Sequence, residues 1–106
     1  MTSPEIGSQP IQDLMEIDRL VHEPARLVIL TILNQVESAD FLFVLNQSGL
    51  TRGNLSSHMT KLEQAGYIEV EKEFVDKIPR TLLLITKEGQ IAFESYREQM
   101  QKLLES

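Results

Sequence analysis

A run of small polar and basic residues that begins at Thr51 is the part of this sequence whose residue types and spacing best suit a chemical task. The run reads TRGNLSSHMTKLEQ, and its apolar members Leu55, Met59 and Leu62 recur at the spacing of one helical face. If that face is buried, amides, hydroxyls and cations point outward. Amide side chains suit adenine, Arg and Lys suit guanine or phosphate, and hydroxyls suit either. The pattern therefore predicts a helix over about 51–65 that lies in the major groove of double-stranded DNA.

The overall charge of the chain stands against that prediction. The sequence has 10 Lys and Arg residues against 16 Asp and Glu residues, so its formal net charge is −6. The acids are unevenly spread, however. Residues 1–23 hold five acids against Arg19 alone, whereas residues 51–64 hold two cations against one acid. Because the local field decides whether DNA is attracted, we expect the acidic N-terminal part to lie away from it.

Composition excludes several other classes of function. At 106 residues the chain suits one domain with a modest core. It has no cysteine, so disulfides, thiolate metal sites and Cys nucleophiles are excluded, and its two histidines, His22 and His58, stand apart. No catalytic triad, phosphate-binding glycine loop or paired carboxylates are organised as motifs. We therefore expect no enzyme, no metal and no cofactor. No signal segment or membrane span is apparent, so we expect a soluble cytoplasmic protein without a membrane partner.

The N-terminal half is predicted to supply the helices that position this run. Residues 1–10 are polar and aperiodic and are expected to form a flexible tail. Helical spacing predicts a first helix over about 11–22. A second helix begins at Pro24, reads PARLVILTILNQV and is apolar on nearly every side, which predicts that it is buried all round. A short helix of about two turns follows, with Asp40 as N-cap and Gly49 as C-cap.

After Gly66 the apolar period changes from 3.6 to 2, which predicts a half-buried strand. Ile68, Val70 and Phe74 are its inward positions, alternating with glutamates. VDKIP is then expected to form a loop and RTLLLI a second strand, so that a two-stranded wing spans about 68–86. Thr86 is expected to cap a last helix over about 87–105.

These elements together predict an α+β, mainly helical fold. Residues 11–106 would form a winged helix-turn-helix domain with a two-stranded wing and flanking N- and C-terminal helices. The helix over 51–65 would enter the major groove, and the wing would reach the flanking backbone. The candidate DNA-binding residues are Thr51, Arg52, Gly53, Asn54, Ser56, Ser57, His58, Thr60, Lys61, Gln64, Lys72, Lys77 and Arg80.

Two longer segments carry a family resemblance. LTRGNLSSHMTKLEQAGYIEVEK, followed by PRTLLLITKEGQIAF, resembles the recognition helix, wing and wing-to-helix junction of small winged-helix transcriptional regulators of the MarR/ArsR-like kind. The resemblance spans roughly 24–96. The resemblance implies a sequence-specific, DNA-binding transcriptional regulator. It also implies that the residues facing DNA are Asn54, Ser56, Ser57, His58 and Lys61. The chain departs from metal-sensing members by lacking cysteine, and it is shorter than drug-binding ones.

A homodimer is expected from the same resemblance and from the length of the last helix. A helix of about 20 residues extends about 30 Å, which is long for this domain, so a second copy is expected to cover part of it. The candidate interface residues are Ile11, Leu14, Met15, Tyr96, Met100, Leu103 and Leu104. A second class of function stays open, namely a winged-helix protein–protein interaction module without direct DNA binding. The acidity of the chain favours it, and no effector ligand can be read from the sequence.

Overall fold

A computed structural model of the chain describes residues 17–105. This part folds into helices packed on one small sheet, in the order α1 (Pro24–Leu33), β1 (Ala39–Asp40), α2 (Phe41–Ser48), α3 (Arg52–Gln64), β2 (Ile68–Val75), β3 (Ile78–Ile85) and α4 (Lys87–Glu105). The three strands are antiparallel in the order β1-β3-β2. The predicted fold class, a winged helix-turn-helix of α+β type, is confirmed.

Helix α1 supplies the centre of the core. Ile29, Leu30 and Leu33 are buried and lie in one apolar cluster with side chains from α2, α3, β2, β3 and α4. The predicted helix runs to Val36 and is buried all round, but α1 ends at Leu33 and its Val28 is 39% exposed. The helix contacts α2, α3 and β3, which cover only part of its circumference.

The predicted first helix is not continuous to residue 22. Its residues 11–16 lie outside the described part of the chain, and residues 17–23 form turns and bends. The carboxylate of Asp18 accepts hydrogen bonds from the backbone N–H of Leu20 and of Val21, at 2.9 and 3.2 Å. A side-chain acceptor used in this way favours a turn over a helix. The guanidinium of Arg26 also donates to the carbonyl of Leu20, which holds this turn against α1.

The helix-turn-helix forms from local signals that the sequence displays. Asp40 caps α2 by accepting from Leu42 N–H at 2.7 Å, and Gly49 ends it in the left-handed region at φ 72°. Thr51 caps α3 by accepting from Asn54 N–H at 3.1 Å. The short helix, its two caps and the cap of α3 are therefore confirmed. So is the inward stripe of α3, which consists of Leu55, Met59 and Leu62.

The wing has the predicted span, but its strands are longer and its turn is tighter than predicted. Asp76 and Lys77 alone form the turn, with φ of 52° and 67°, so Val75, Ile78 and Pro79 belong to strands rather than to a loop. Two left-handed residues give a turn whose twist matches that of the strands. Residues 71–80 are all exposed. Phe74, predicted to be half-buried, is 76% exposed because the hairpin extends past the core.

Two further features connect the wing to the rest of the fold. Ala39 pairs with Leu83 in a two-residue strand, which the sequence did not predict because two residues display no period. At the other end, the hydroxyl of Thr86 accepts from Gly89 N–H at 2.9 Å and donates to the Gly66 carbonyl at 2.6 Å. Thr86 therefore caps α4 as predicted, and it also ties the start of α4 to the end of α3. Within residues 17–105, no helix is long and apolar enough to cross a membrane.

Candidate nucleic-acid interface

The outward face of α3 is polar, small and free of acids in its first turn. Glu63, near the other end, is the one acid of the helix. Gly53 lies on this face, and a Cβ atom added there would have no neighbour within 4 Å. Besides Glu63, the exposed positions from the cap to the end of the helix are Thr51, Arg52, Gly53, Asn54, Ser56, Ser57, Thr60, Lys61 and Gln64. A face of this kind can approach a nucleic acid closely and offer amides, hydroxyls and cations to it.

The wing has two chemically different faces, which follow from its strand register. Val70 pairs with Leu83 and Lys72 with Thr81, so these side chains share a face, which we call the inner face. Leu83 is fully buried, so this face is the one directed toward the core and α3. The opposite, outer face carries all three glutamates of β2, which are Glu69, Glu71 and Glu73. The wing therefore turns its acids away from α3 and its lysine toward it.

A groove of 460 Å³ lies between α3 and the inner face of the wing, and we call it the helix–wing groove. Arg52 and Lys72 supply cations to it, and Ser56, Thr60 and Thr81 supply hydroxyls. Its remaining lining residues are Phe41, Met59, Glu63 and Val70. Guanidinium, ammonium and hydroxyl groups are the side chains that proteins use to contact phosphate oxygens. The groove is therefore suited to hold a phosphodiester backbone beside α3.

Arg52 is positioned at the mouth of this groove by the helix-turn-helix itself. It is the first residue of α3, next to the cap Thr51. Its guanidinium carbon lies 6.0 Å from the ring centroid of Phe41, the first residue of α2. Such a cation–π contact orients the guanidinium without neutralising its charge. Arg52 therefore stays available to an anion.

His58 is held inward rather than presented with the other residues of α3. Its Nδ1 lies 3.1 Å from Nη1 of Arg26 and 3.2 Å from Oε2 of Glu23, and its side chain is 20% exposed. A neutral imidazole accepts the Arg26 N–H there, while a protonated one donates to the Glu23 carboxylate. In both forms His58 braces α3 against the start of α1. The structure does not bring it together with the exposed face.

Arg80 also stands apart from the groove. It lies on the outer face opposite Glu73, and its Nε donates to Oδ2 of Asp40 at 2.9 Å. Its Nη1 is 3.9 Å from Oε1 of Glu73. The Leu42 N–H, joined by the Arg80 guanidinium, lowers the pKa of Asp40. Two carboxylates thus counter the charge of Arg80, whereas Lys77, at the tip of the wing, is exposed.

Four carboxylates, with Lys87 among them, gather along the free edge of β2. Glu63, Glu69, Glu71 and Glu88 line an open groove on that side of the sheet. Glu63 is shared with the helix–wing groove. Negative charge is thus concentrated at this edge of the domain. This arrangement reconciles an acidic chain with a locally basic surface. The acids of residues 1–16 lie outside the described residues, and Glu23 contacts His58 of α3 rather than lying away from that helix.

Thr81 and Phe41 are groove residues that sequence reasoning missed. Thr81 pairs directly with Lys72 across the hairpin. That pairing follows from the two-residue turn at 76–77. The five-residue loop predicted from the sequence gives no register, so it did not indicate that Thr81 faces Lys72. Phe41 carried no signal, because its contact with Arg52 depends on the packing of two helices.

The residues expected at a dimer interface are placed in different ways. Ile11, Leu14 and Met15 lie outside the described residues. Tyr96 is 7% exposed and belongs to the core of its own chain, with its hydroxyl 2.8 Å from Nδ1 of His22. Met100 packs against that core, Leu103 is half-buried, and Leu104 is 79% exposed.

A capped recognition helix, a brace helix before it and a projecting hairpin after it define a winged helix-turn-helix protein. Comparison with known proteins agrees with this class. The chain belongs to the winged helix DNA-binding domain family, whose model matches residues 25–104. It is a DNA-binding transcriptional regulator of the winged-helix type, as the resemblance predicted, and not an enzyme.

Individual relatives support the same assignment. An uncharacterized protein of Methanocaldococcus jannaschii is 32% identical over 78 residues, which are 74% of this chain and 85% of the relative. A transcriptional regulator homologue from Pyrococcus horikoshii is 27% identical, with a TM-score of 0.83 over 92% of this chain and 95% of that one. A MarR-family transcriptional regulator from Silicibacter pomeroyi shares the fold, with a TM-score of 0.64 at 17% identity over 91% of this chain and 64% of that one.

Proposed function

We propose that this protein regulates transcription by binding a specific double-stranded DNA sequence as a homodimer, with α3 in the major groove and the wing on the flanking backbone. The observation that supports this most directly is the helix–wing groove. It joins the acid-free first turn of α3 to the one lysine on the inner face of the wing. The protein would act in the cytoplasm, because that is where the DNA lies in a cell without a nucleus.

The exposed polar residues of α3 would recognise the DNA sequence by contacting base edges in the major groove. Helix geometry places Gly53, Ser57 and Gln64 opposite the buried stripe, so these residues would lie deepest in the groove. Asn54 and Lys61 lie on the flank nearer α1. An asparagine in the major groove can form paired hydrogen bonds with adenine, while Lys61 suits guanine or phosphate.

Affinity would come from a small number of phosphate contacts. Arg52, Lys61, Lys72 and Lys77 are the four exposed cations of α3 and the wing that no carboxylate within residues 17–105 contacts at ion-pair distance. If all four neutralise a phosphate, log K falls against log salt with a slope of about −3.6 per protomer. For a homodimer the slope doubles to about −7, which corresponds to eight phosphate contacts. We expect weak binding to random DNA and a stronger, sequence-dependent component.

The homodimer is supported by α4. The helix has 19 residues, and its exposed Leu104 lies one residue before its end. Its C-terminal part thus carries apolar surface that a second copy can cover. Two recognition helices related by a two-fold axis read half-sites about 34 Å apart.

The test combines mass, binding and sequence preference. Light scattering gives the oligomeric state, and fluorescence anisotropy with random and selected duplexes at two salt concentrations gives affinity and slope. Lys61→Ala should weaken binding to all duplexes alike, whereas Asn54→Ala should also reduce the preference for the selected duplex. Lys87→Ala is the matched control, because Lys87 is an exposed lysine at the start of α4, beside the acidic groove and away from the proposed dimer surface. If neither α3 variant changes binding while the wild type binds, α3 is not the reading element.

A protein-docking module is the second candidate, favoured by one specific observation. Leu42 and Phe43, side by side on α2, are 52% and 47% exposed. This pair could dock another protein while α3 serves only as architecture. A folded wild-type protein that binds no duplex at low salt would select this second function.

A further inference from the structure

The tip of the wing is apolar, which the proposed function leaves unused. Phe74 and Ile78 are 76% and 64% exposed, and Val75 is 40% exposed. Pro79, the cross-strand partner of Phe74, is exposed as well. Residues 71–80 are all exposed, although Arg80 pairs with Asp40, and Ile78 and Pro79 border an open groove that Phe41 and Leu42 also line. Exposed large apolar side chains grouped at one tip are a feature that calls for a partner.

The register decides which of these side chains faces the proposed DNA site. The pair Phe74–Pro79 follows the pair Lys72–Thr81 on the inner face. The pair Val75–Ile78 lies on the outer face, which also carries the glutamates. Phe74 and Pro79 therefore continue the helix–wing groove outward, beyond its cation and hydroxyl groups. A duplex whose backbone lies in this groove would therefore contact the Phe74 and Pro79 rings beyond it.

The reach of the hairpin identifies the part of the duplex that it meets. The exposed part of β2, residues 71–75, at about 3.3 Å per residue extends about 16 Å. In B-DNA the centres of neighbouring major and minor grooves are about half a helical turn, or about 17 Å, apart. With α3 in the major groove, the tip of the wing therefore lies at the adjacent minor groove.

The charge of the tip is compatible with that location. From Lys72 outward, the inner face carries no acid. The turn itself has one acid, Asp76, and one base, Lys77. Proteins that bend DNA through the minor groove insert apolar side chains such as Phe, Ile or Pro between base pairs, with a cation nearby. The inner face of this wing offers that combination.

We propose that Phe74, backed by Pro79, is an apolar wedge that enters the minor groove and partly unstacks one base step, so that the bound DNA bends. This inference rests on the proposed DNA-binding function and goes beyond it, because a wing resting on phosphates needs no aromatic ring. The two-residue turn holds the ring at the end of a short, stiff hairpin. The preferred site would then contain a flexible pyrimidine–purine step half a turn from the α3 contacts.

The experiment compares two apolar residues at the same tip. Phe74→Ala and Ile78→Ala each remove exposed apolar atoms, the first from the inner face and the second from the outer face. Fluorescence energy transfer between the ends of a selected duplex reports the bend, and anisotropy reports affinity. We expect the wild type to bend DNA by tens of degrees. Phe74→Ala should abolish most of the bend and weaken binding about tenfold, whereas Ile78→Ala should keep both.

A second readout detects base contact directly. The chain contains no tryptophan, so Phe74→Trp and Ile78→Trp each introduce a single fluorophore. Stacking on bases should quench the emission of Phe74→Trp when the duplex is added and leave that of Ile78→Trp largely unchanged. Both variants place the new ring in solvent, so neither is expected to disturb the fold.

The outcomes separate the two proposals. If the wild type binds no duplex, the proposed function fails and the wedge fails with it. If the wild type binds but Phe74→Ala binds and bends DNA equally well, only the wedge is overturned. Equal losses in Phe74→Ala and Ile78→Ala would overturn the assignment to the inner face.

Discussion

Arg80 donates a hydrogen bond from Nε to the carboxylate of Asp40 over 2.9 Å, which joins the base of the wing to the first turn of α2. Asp40 also caps α2 through Leu42 N–H. One carboxylate thus fixes the angle between the helix-turn-helix and the hairpin. The role that follows for Arg80 is to position the wing, rather than to contact phosphate as the sequence predicted. The two roles give different results in a binding experiment.

Replacing Arg80 by Ala should therefore affect DNA binding less than replacing Lys72 by Ala. Lys72 faces the helix–wing groove, so its loss should weaken binding severalfold and reduce the salt slope by about 1. Arg80→Ala should leave the slope unchanged and lower the free energy of unfolding by at most about 1 kcal/mol, because the pair is partly exposed. Anisotropy titrations at several salt concentrations and a thermal melt measure these quantities. If the salt slope falls equally in both variants, Arg80 contacts a phosphate as Lys72 does.

Gly53 should show opposite effects on stability and on binding. The residue is the second of α3, and a methyl group there meets nothing within 4 Å. Gly53→Ala should raise the free energy of unfolding by up to about 1 kcal/mol, since glycine is unfavourable in helices. The same methyl group would separate α3 from the duplex and weaken DNA binding. Urea unfolding and anisotropy measure the two effects, and unchanged affinity would mean that DNA does not approach the first turn closely.

Helices whose signals are local could be predicted from the sequence, and α3 is the best example. Its buried stripe repeats at helical spacing, and its cap Thr51 precedes it directly. The cap, the start and the buried stripe were therefore confirmed. The two-residue turn was not predictable, since such turns favour Asn-Gly or Asp-Gly, whereas this one has Lys77 where glycine is favoured. The missed turn hid the register, and the register decides which side chains face α3.

Contacts between distant residues explain the remaining differences at the site. His58 has the spacing of a surface residue, yet Glu23 and Arg26 of a different element hold it inward. Arg80 has the residue type of a phosphate ligand, yet Asp40 pairs with it across forty positions of sequence. Both partners are defined by tertiary packing, which no local pattern reports. Residue types could indicate that polar and basic side chains of α3 and the wing bind DNA, but not which of those side chains line the helix–wing groove.

Gly89 should not tolerate the substitution that Gly53 tolerates. A Cβ atom at Gly89 would collide with the backbone carbonyl of Tyr67 and press on the side chain of Ile85. That carbonyl is also the acceptor for Thr86 N–H at 3.0 Å, so it cannot move freely. Gly89→Ala should lower the free energy of unfolding by about 1–3 kcal/mol, as overpacking does. Gly53→Ala is the matched control, because it adds the same methyl group in open space.

Tyr67 should make stability fall at alkaline pH. Its hydroxyl donates to Oδ2 of Asp18 at 2.6 Å, and this bond, with burial, raises the pKa of Tyr67 to about 12. The folded state therefore keeps a proton that the unfolded state loses near pH 10. The stabilisation is complete below pH 10 and is lost as the pH rises to about 12. Urea unfolding at pH 8, 10 and 11.5 should show the decline.

The control for this prediction is Tyr67→Phe, which removes the hydroxyl and keeps the ring. Below pH 10 it should unfold at lower urea than the wild type, by about 1 kcal/mol in free energy, since the hydrogen bond to a carboxylate is lost. The difference between the two proteins should shrink as the pH approaches 12. In an Asp18→Asn background the difference in stability that Tyr67→Phe causes should be smaller, because the hydrogen bond to the Asp18 carboxylate is the largest cause of the raised pKa of Tyr67. Burial also raises the pKa of Tyr96, but Tyr96 is present in both proteins, so its contribution cancels in the difference. A difference that stays constant from pH 8 to 11.5 would mean that Tyr67 and Asp18 are not coupled in solution.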